Sequence, residues 1–600
     1  MRPRLITEAK RVAPAPTKAI NPSRKASRAG GRILGMGGFG ERKGSEQAID
    51  RFLGEVAIPR LTSRPWQSFV ASRLKGFAFP PPPWVLVILY RLTLHPLAKY
   101  PGPLLGRITD WGTVIQAGSG DRHLSSWKEH EIYGPIVRTG PNTLSIDTIA
   151  GLKAIYASRN VVQKSDWYRI ISAASRGATS LHSEVDINSH AFRRRVLEQG
   201  FSDSAVRSAE AYVHQNVDLW CKYIAQDAPK PGFWTPAKNM SDWCNYLSYD
   251  VMGDWTFGKR FHCIESDEHR YVPKLLMDRG KLLHPIGYFP LASLIRRIVG
   301  TPIMALLAGK SAIAALKYRA YSSGLIEARI AKEKDMSASG NQPRKDFSHY
   351  LLNAKDPRTG KGLSLPQLRA DSALLIAAGT DTTAVTMSAS LFYLLNNPST
   401  LEKLTVDVRS TFSSSEQIDG QSVTRLPYLR ACVDEALRLA PPIPSHLPRE
   451  VLSDGLVIDD VFIPAGTVVG TSAYAIHHNP EYYPDPFKFR PERWIVDEHS
   501  TGINSPEAVS TARSAFCAFS LGRRGCIGKR IAYLEVEVAL AKLVYMFDMR
   551  LPENLSEKQA SGGGAPDHRI RERQRRDEYQ IVDHFLVERD GPWVEFRAHE

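Results

Sequence analysis

Phe519-Ser520-Leu521-Gly522-Arg523-Arg524-Gly525-Cys526-Ile527-Gly528 is the stretch on which the reading of this chain turns. One cysteine stands between glycines, and an arginine precedes it by two positions. An apolar stripe of helical period (Ile527, Ile531, Leu534, Val538, Ala541) begins directly after it. The pattern suits a thiolate that holds a metal. Glycines let backbone approach a flat cofactor. The helix N-terminus and nearby cations favour ionised sulfur. Arg524 has the fork geometry to hold a carboxylate of the same group.

The chain has 600 residues, of which 43% are apolar and 23% charged, so it is long enough for a large buried core and not disordered overall. Its six cysteines include no CxxC pair, and so few in so long a chain make no disulfide framework. They read as reduced, consistent with a cytosol-facing protein. The net charge of +16 is unevenly placed: nine arginines and lysines against Glu8 alone put half of it in the first forty residues. No nucleic-acid-binding signature accompanies it, so a basic tail or basic docking face is expected and nucleic acid is not.

The expected organisation is a basic, unstructured extension over 1–75, a short apolar membrane-associated segment over 76–100, and a folded body over 101–600. Gly35-Met36-Gly37-Gly38-Phe39-Gly40 fits GxGxxG but lacks the preceding strand and following helix of a dinucleotide site, and reads as linker. The apolar run from Trp84 is too short to span a bilayer. It suits an interfacial helix or a helix packed on the body. Paired strands are expected at 136–146, a loop at 172–188, and a helix opening at His190, which shares a face with Arg194. Helices with short breaks follow over 205–330, then an exposed loop at 332–345.

A capping box with proline, Ser364-Leu365-Pro366-Gln367, starts the most apolar helix, which runs to Asn396-Asn397-Pro398. In its middle lies a polar island, Ala378-Gly379-Thr380-Asp381-Thr382-Thr383, which reads equally as a kink or as an active-site groove. Glu435 and Arg438 are neighbours on a later helix. Pro491-Glu492-Arg493-Trp494 reads as an aromatic-anchored loop, and Tyr579–Phe596 as a hairpin turning at Asp590-Gly591.

Together these motifs resemble the cytochrome P450 superfamily of haem-thiolate monooxygenases, in its fungal microsomal form. The FxxGxRxCxG loop is matched by Phe519, Gly522, Arg524, Cys526 and Gly528. AGx[DE]T[TS] is matched by Ala378 to Thr383, ExxR by Glu435 and Arg438, and PER[FW] by Pro491 to Trp494. The resemblance covers roughly residues 95–600. It implies a mainly α fold with small β-sheets, the haem lying between the long central helix and the cysteine-loop helix.

Carried over residue by residue, it makes Cys526 the axial thiolate of haem b. Arg524, Arg449, Arg194 and His190 become candidates for the propionates, although His190 stands where many relatives have tryptophan. Asp381 and Thr382 become the gate for protons and water at the dioxygen site. Glu435, Arg438 and Arg493 become a buried ion network bracing the loop. The function implied is insertion of one oxygen atom into a lipophilic substrate, in fungal secondary metabolism. Electrons would come from NADPH through a separate cytochrome P450 reductase docked near Lys529 and Arg530. The location implied is the cytosolic face of the endoplasmic reticulum membrane, with a mitochondrial alternative from the basic N-terminus. The rivals are a haem-thiolate isomerase or dehydratase, which needs no proton gate, and a haem sensor or electron carrier, which needs no groove. Expected substrate-lining residues are 172–188, Ala377, Ala378 and Ile443 to Leu447.

Overall fold

Capping chemistry sets where the principal helices begin. The computed structural model describes residues 82–341, 344–553 and 561–599, which belong to one compact unit, Pro82–Glu600. The basic extension and the glycine pattern at 35–40 lie outside the described residues, as do 76–81. α1 (Pro83–Leu89) starts at a proline. α2 (Ile187–Glu198) starts where the Asp186 side chain accepts the Ser189 N–H at 2.7 Å. Ser202 and Asn239 cap α3 (Asp203–Ala225) and α4 (Met240–Phe257). α5 (Tyr271–Tyr288) and α6 (Pro302–Ala338) follow. α7 (Leu365–Leu395) opens at the expected capping box, the Ser364 N–H donating to Gln367 Oε1 at 2.9 Å. α8 (Pro427–Leu439) and α9 (Lys529–Met546) complete the set.

α7 packs against α4, α6, α8 and α9, and α3 covers α4 and α9. The closest approach is at Gly379, where a Cβ would lie 2.5 Å from Met252 Sδ on α4. The threonine hydroxyls of the polar island bond back to carbonyls one turn earlier, yet α7 stays helical through them. The kink half of the alternative therefore does not hold.

A five-stranded sheet runs in the order Ile136–Gly140, Thr143–Ile146, Val468–Gly470, Arg449–Val451, Val162–Lys164. Its register sets Arg449 directly opposite Lys164.

Three expectations need correction. Lys332–Ala338 belongs to α6, because buried Arg329 binds Glu333 at 2.7 Å and Asp346 at 2.9 Å, holding a polar turn helical. The 172–188 loop is shorter than its composition suggests, since Arg169–Ala174 is helical and Ile187 already lies in α2. The C-terminal hairpin turns at Phe585, between Val582–His584 and Leu586–Glu588. Asp590-Gly591 instead hands the chain to Trp593–Ala598, which pairs with Phe547–Arg550 and Lys238–Asn239.

α1 and the π-helical turn after it leave Trp84, Leu86, Leu89 and Leu94 exposed, whereas Leu97 and Tyr100 are buried. Among the described residues no helix is long and apolar enough to cross a membrane.

Candidate active site

A cavity of about 360 Å³ lies between the middle of α7, the N-terminal end of α9 and the edge of the five-stranded sheet. Ala378 is exposed in a helix whose neighbouring residues are mostly buried, and the space it meets is this cavity. Facing it is the cysteine loop. Gly522 adopts φ 65°, and a Cβ there would lie 2.3 Å from the Tyr156 carbonyl oxygen, so only glycine fits. The loop then returns so that the Cys526 N–H donates to the Phe519 carbonyl at 2.9 Å. Cys526 is accessible, but the surface it shows is cavity wall enclosed by protein. Burial raises its thiol pKa, while the Gly528 N–H, Arg194 and Lys529 pull the other way. All six cysteines are free. Gly528 precedes α9, and a Cβ there would meet Ile531 and Phe201 only at 3.6 Å, so the protein alone does not demand glycine. Phe519 packs on Tyr533, ring centroids 5.0 Å apart.

Cations crowd one end of the cavity. Arg524 donates to the carbonyls of Glu184 (2.9 Å) and Val185 (3.0 Å). Arg449 donates to Tyr168 Oη at 3.0 Å, and Lys164 to the Leu181 carbonyl at 2.9 Å. Arg194 donates to the Gly525 carbonyl at 2.7 Å and pairs with Glu198 at 2.6 Å. Of the three adjacent arginines only Arg194 faces the cavity, since Arg193 binds Asp371 and Arg195 binds Asp356. His190 also lines the cavity, where burial and then Lys164, Arg524, Arg194 and Arg449 push its pKa down to about 2. Burial, and then Arg449, lowers Arg524 to about 10. Lys164 falls well below its usual range through burial first and Arg524 next.

Like charges directly opposite across strands repel, and buried unpaired charge is costly. Among the described residues, Lys164, Arg449 and Arg524 have only neutral acceptors. The donor set is therefore complementary to a cofactor bearing carboxylates, and Cys526 supplies the soft ligand a metal in that cofactor needs.

The other expected residues fall into two groups. Thr382 lines the cavity, its hydroxyl donating to the Ala378 carbonyl at 2.6 Å. Asp381 does not line it. Asp381 faces Arg589, whose Nη1 lies 3.0 Å from Oδ1, while Oδ2 has no partner among the described residues. Burial raises the Asp381 pKa and Arg589 opposes the rise.

Behind the loop, Glu435 receives Arg438 (2.8 and 2.9 Å), Arg493 (2.9 Å) and Trp494 Nε1 (3.0 Å), all buried. Burial pushes the Glu435 carboxyl up, but Arg438 and Arg493 outweigh it and hold the pKa below the usual range. His477 joins this network to the loop. Its Nδ1 bonds the Arg438 carbonyl at 3.1 Å, and its Nε2 accepts the Cys517 N–H at 3.0 Å, which fixes the neutral tautomer.

Lys164, Arg279, His477, Glu535 and Arg589 were not legible as site residues. Each sits in an ordinary local pattern and reaches the site only through tertiary packing. The lining does include Leu181, His182, Ala377, Ala378, Ile443 and Leu447 from the segments expected to form it.

The sequence profile described as "Cytochrome P450" matches residues 101–564. The chain is 37% identical over 514 residues to "Cytochrome P450 monooxygenase AKT7" of Alternaria alternata, covering 85% of this chain and 94% of that protein. It is 37% identical over 522 residues to "Cytochrome P450 monooxygenase atnE" of Emericella nidulans, covering 84% and 93% respectively. Its fold resembles the solved structure of the cytochrome P450DA heme domain, with a TM-score of 0.63 at 17% identity, covering 84% of this chain and 98% of that one.

Proposed function

The chain belongs to the cytochrome P450 family, and from that premise we propose where its own residues enter the family's monooxygenation. The enzyme is an oxidoreductase, a monooxygenase whose cofactor is haem with a cysteine thiolate as axial ligand. When bound, haem supplies dioxygen activation: one oxygen atom enters the substrate and the other leaves as water, consuming two electrons and two protons.

Cys526 is the thiolate, and this rests on one observation: its sulfur faces the same cavity as the polar island of α7. Lys164, Arg449, Arg524 and Arg194 would neutralise the cofactor carboxylates, with His190 neutral among them. Phe519 and Gly528 frame the sulfur. Glu435, Arg438 and Arg493 hold the loop from behind through His477. Thr382 commits its hydroxyl proton to the Ala378 carbonyl and so offers lone pairs to cavity water. Asp381 stands one residue earlier as a proton reserve, entering the relay by leaving Arg589.

The substrate is lipophilic, in keeping with the aliphatic lining, and belongs to fungal secondary metabolism. NADPH–cytochrome P450 reductase supplies the electrons. Lys529 and Arg530 stand exposed on the loop side, Arg530 also pairing with Asp203. The exposed Trp84, Leu89 and Leu94, and separately Leu291, Leu306 and Leu307, supply apolar side chains by which the enzyme would rest on the cytosolic face of the endoplasmic reticulum membrane.

The test is turnover with isotopically labelled dioxygen, NADPH and reductase. One labelled atom per product molecule is expected, and Thr382→Ala should divert NADPH to peroxide. A transformed substrate carrying no label would replace this reading with a rearrangement.

A further inference from the structure

Arg279, in the middle of α5, lines the cavity and has no anion. Among the described residues it makes no hydrogen bond and no ion pair. Its close partner is the ring of Tyr318, 5.8 Å from the guanidinium carbon. Burial lowers its pKa, the cost of a cation without a counter-charge.

Lys164, Arg449 and Arg279 all act on His182 in the cavity wall. Lys164, Arg524, Arg194 and Arg449 are the charges that act on His190, and Arg279 is not among them. Arg279 enters the cavity from α5. The Tyr318 hydroxyl beside it donates to the Ala373 carbonyl at 2.7 Å, in the first third of α7. Thr382 stands nine residues further along α7, roughly 13 Å at the helical rise per residue. Between these points the wall is mostly aliphatic, including Ile171, Leu181, Leu374, Ala377 and Leu586. His182 is a polar exception, its buried Nε2 also without a partner.

A guanidinium presents a planar fork of donors that matches a carboxylate bidentately. A neutral ligand in this cavity leaves the charge stranded, whereas an acid satisfies it, so the site selects by charge as well as by shape. We propose that Arg279 receives the carboxylate of a lipophilic acid substrate. The acid lies along α7, and the carbon that is oxidised sits toward its other end, away from the carboxylate. This rests on the oxygenase reading above.

The experiment titrates the full-length haem-loaded protein with decanoic, dodecanoic and tetradecanoic acids, their methyl esters and the matching alcohols. Calorimetry and the spin-state change of the haem read the binding. At least one acid should bind about tenfold or more tighter than its ester, the scale of one charge-assisted contact. In Arg279→Gln the acid-to-ester ratio should fall to within about threefold of one, with Arg279→Lys in between. Equal binding of acid and ester at every chain length, or a preference that survives Arg279→Gln, overturns the proposal. If Arg279→Gln does not fold, the wild-type comparison and Arg279→Lys still decide. The two readings fail separately. A thiolate carbon monoxide signature without acid preference removes Arg279 and leaves the oxygenase. Arg279-dependent acid binding without that signature removes the oxygenase and leaves the anion site.

Discussion

Glu535, which lines the cavity, stands apart from the buried carboxylates that bind guanidinia. Glu435 is held ionised by Arg438 and Arg493. Glu535 has only the Ser248 hydroxyl, donating to it at 2.6 Å, and burial drives its pKa up to about 8. The folded protein therefore binds a proton at Glu535 that the unfolded chain releases above its ordinary pKa of 4.5. Stability from this group is complete below that value and is lost as pH rises from there to about 8. The full effect is on the order of 5 kcal/mol. Glu535→Gln mimics the protonated acid, so the variant should lose less stability than the wild type over that interval and be the more stable form at its alkaline end. Thermal unfolding midpoints of both haem-loaded proteins across the interval check this. Parallel pH profiles would show that Glu535 is ionised in the fold.

At the scale of elements, the cysteine loop is shaped by backbone conformation as much as by its sulfur. Gly522→Ala forces a left-handed residue, costing roughly 1–3 kcal/mol, and also drives a methyl against the Tyr156 carbonyl. The variant should show lowered haem occupancy and a lower unfolding midpoint. An unchanged midpoint with full haem would mean that the loop does not depend on this turn. Such local requirements are what a sequence displays. The loop, the Ser364 capping box and the Glu435–Arg438 pair each lie within a few residues and were legible. Asp381 was legible as an unusual acid in an apolar helix, but its partner Arg589 is 208 positions away. Lys164 reaches Arg449 only through strand register, and Lys332–Ala338 is helical only because Arg329 meets Asp346. Local propensity reveals where charges are, and the fold decides which of them meet.

At the scale of the whole molecule, function follows from how charge and apolar surface are partitioned. Among the described residues, those lining the cavity fall between Leu152 and Leu586. Inside, Lys164, Arg194, Arg449 and Arg524 line the cavity near the cysteine loop, and Arg279 lines it from α5. Outside, apolar side chains of α1 and of the region around Leu306 remain uncovered. The central claim is that this arrangement serves one thiolate, that of Cys526. The most direct measurement is the absorption spectrum of the reduced, haem-loaded protein under carbon monoxide, for the wild type and for serine replacements at each of the six cysteines. The account predicts the strongly red-shifted thiolate Soret band in the wild type and in five variants, and its loss in Cys526→Ser alone. Bound haem without that band in the wild type, or a band that survives Cys526→Ser, would contradict it.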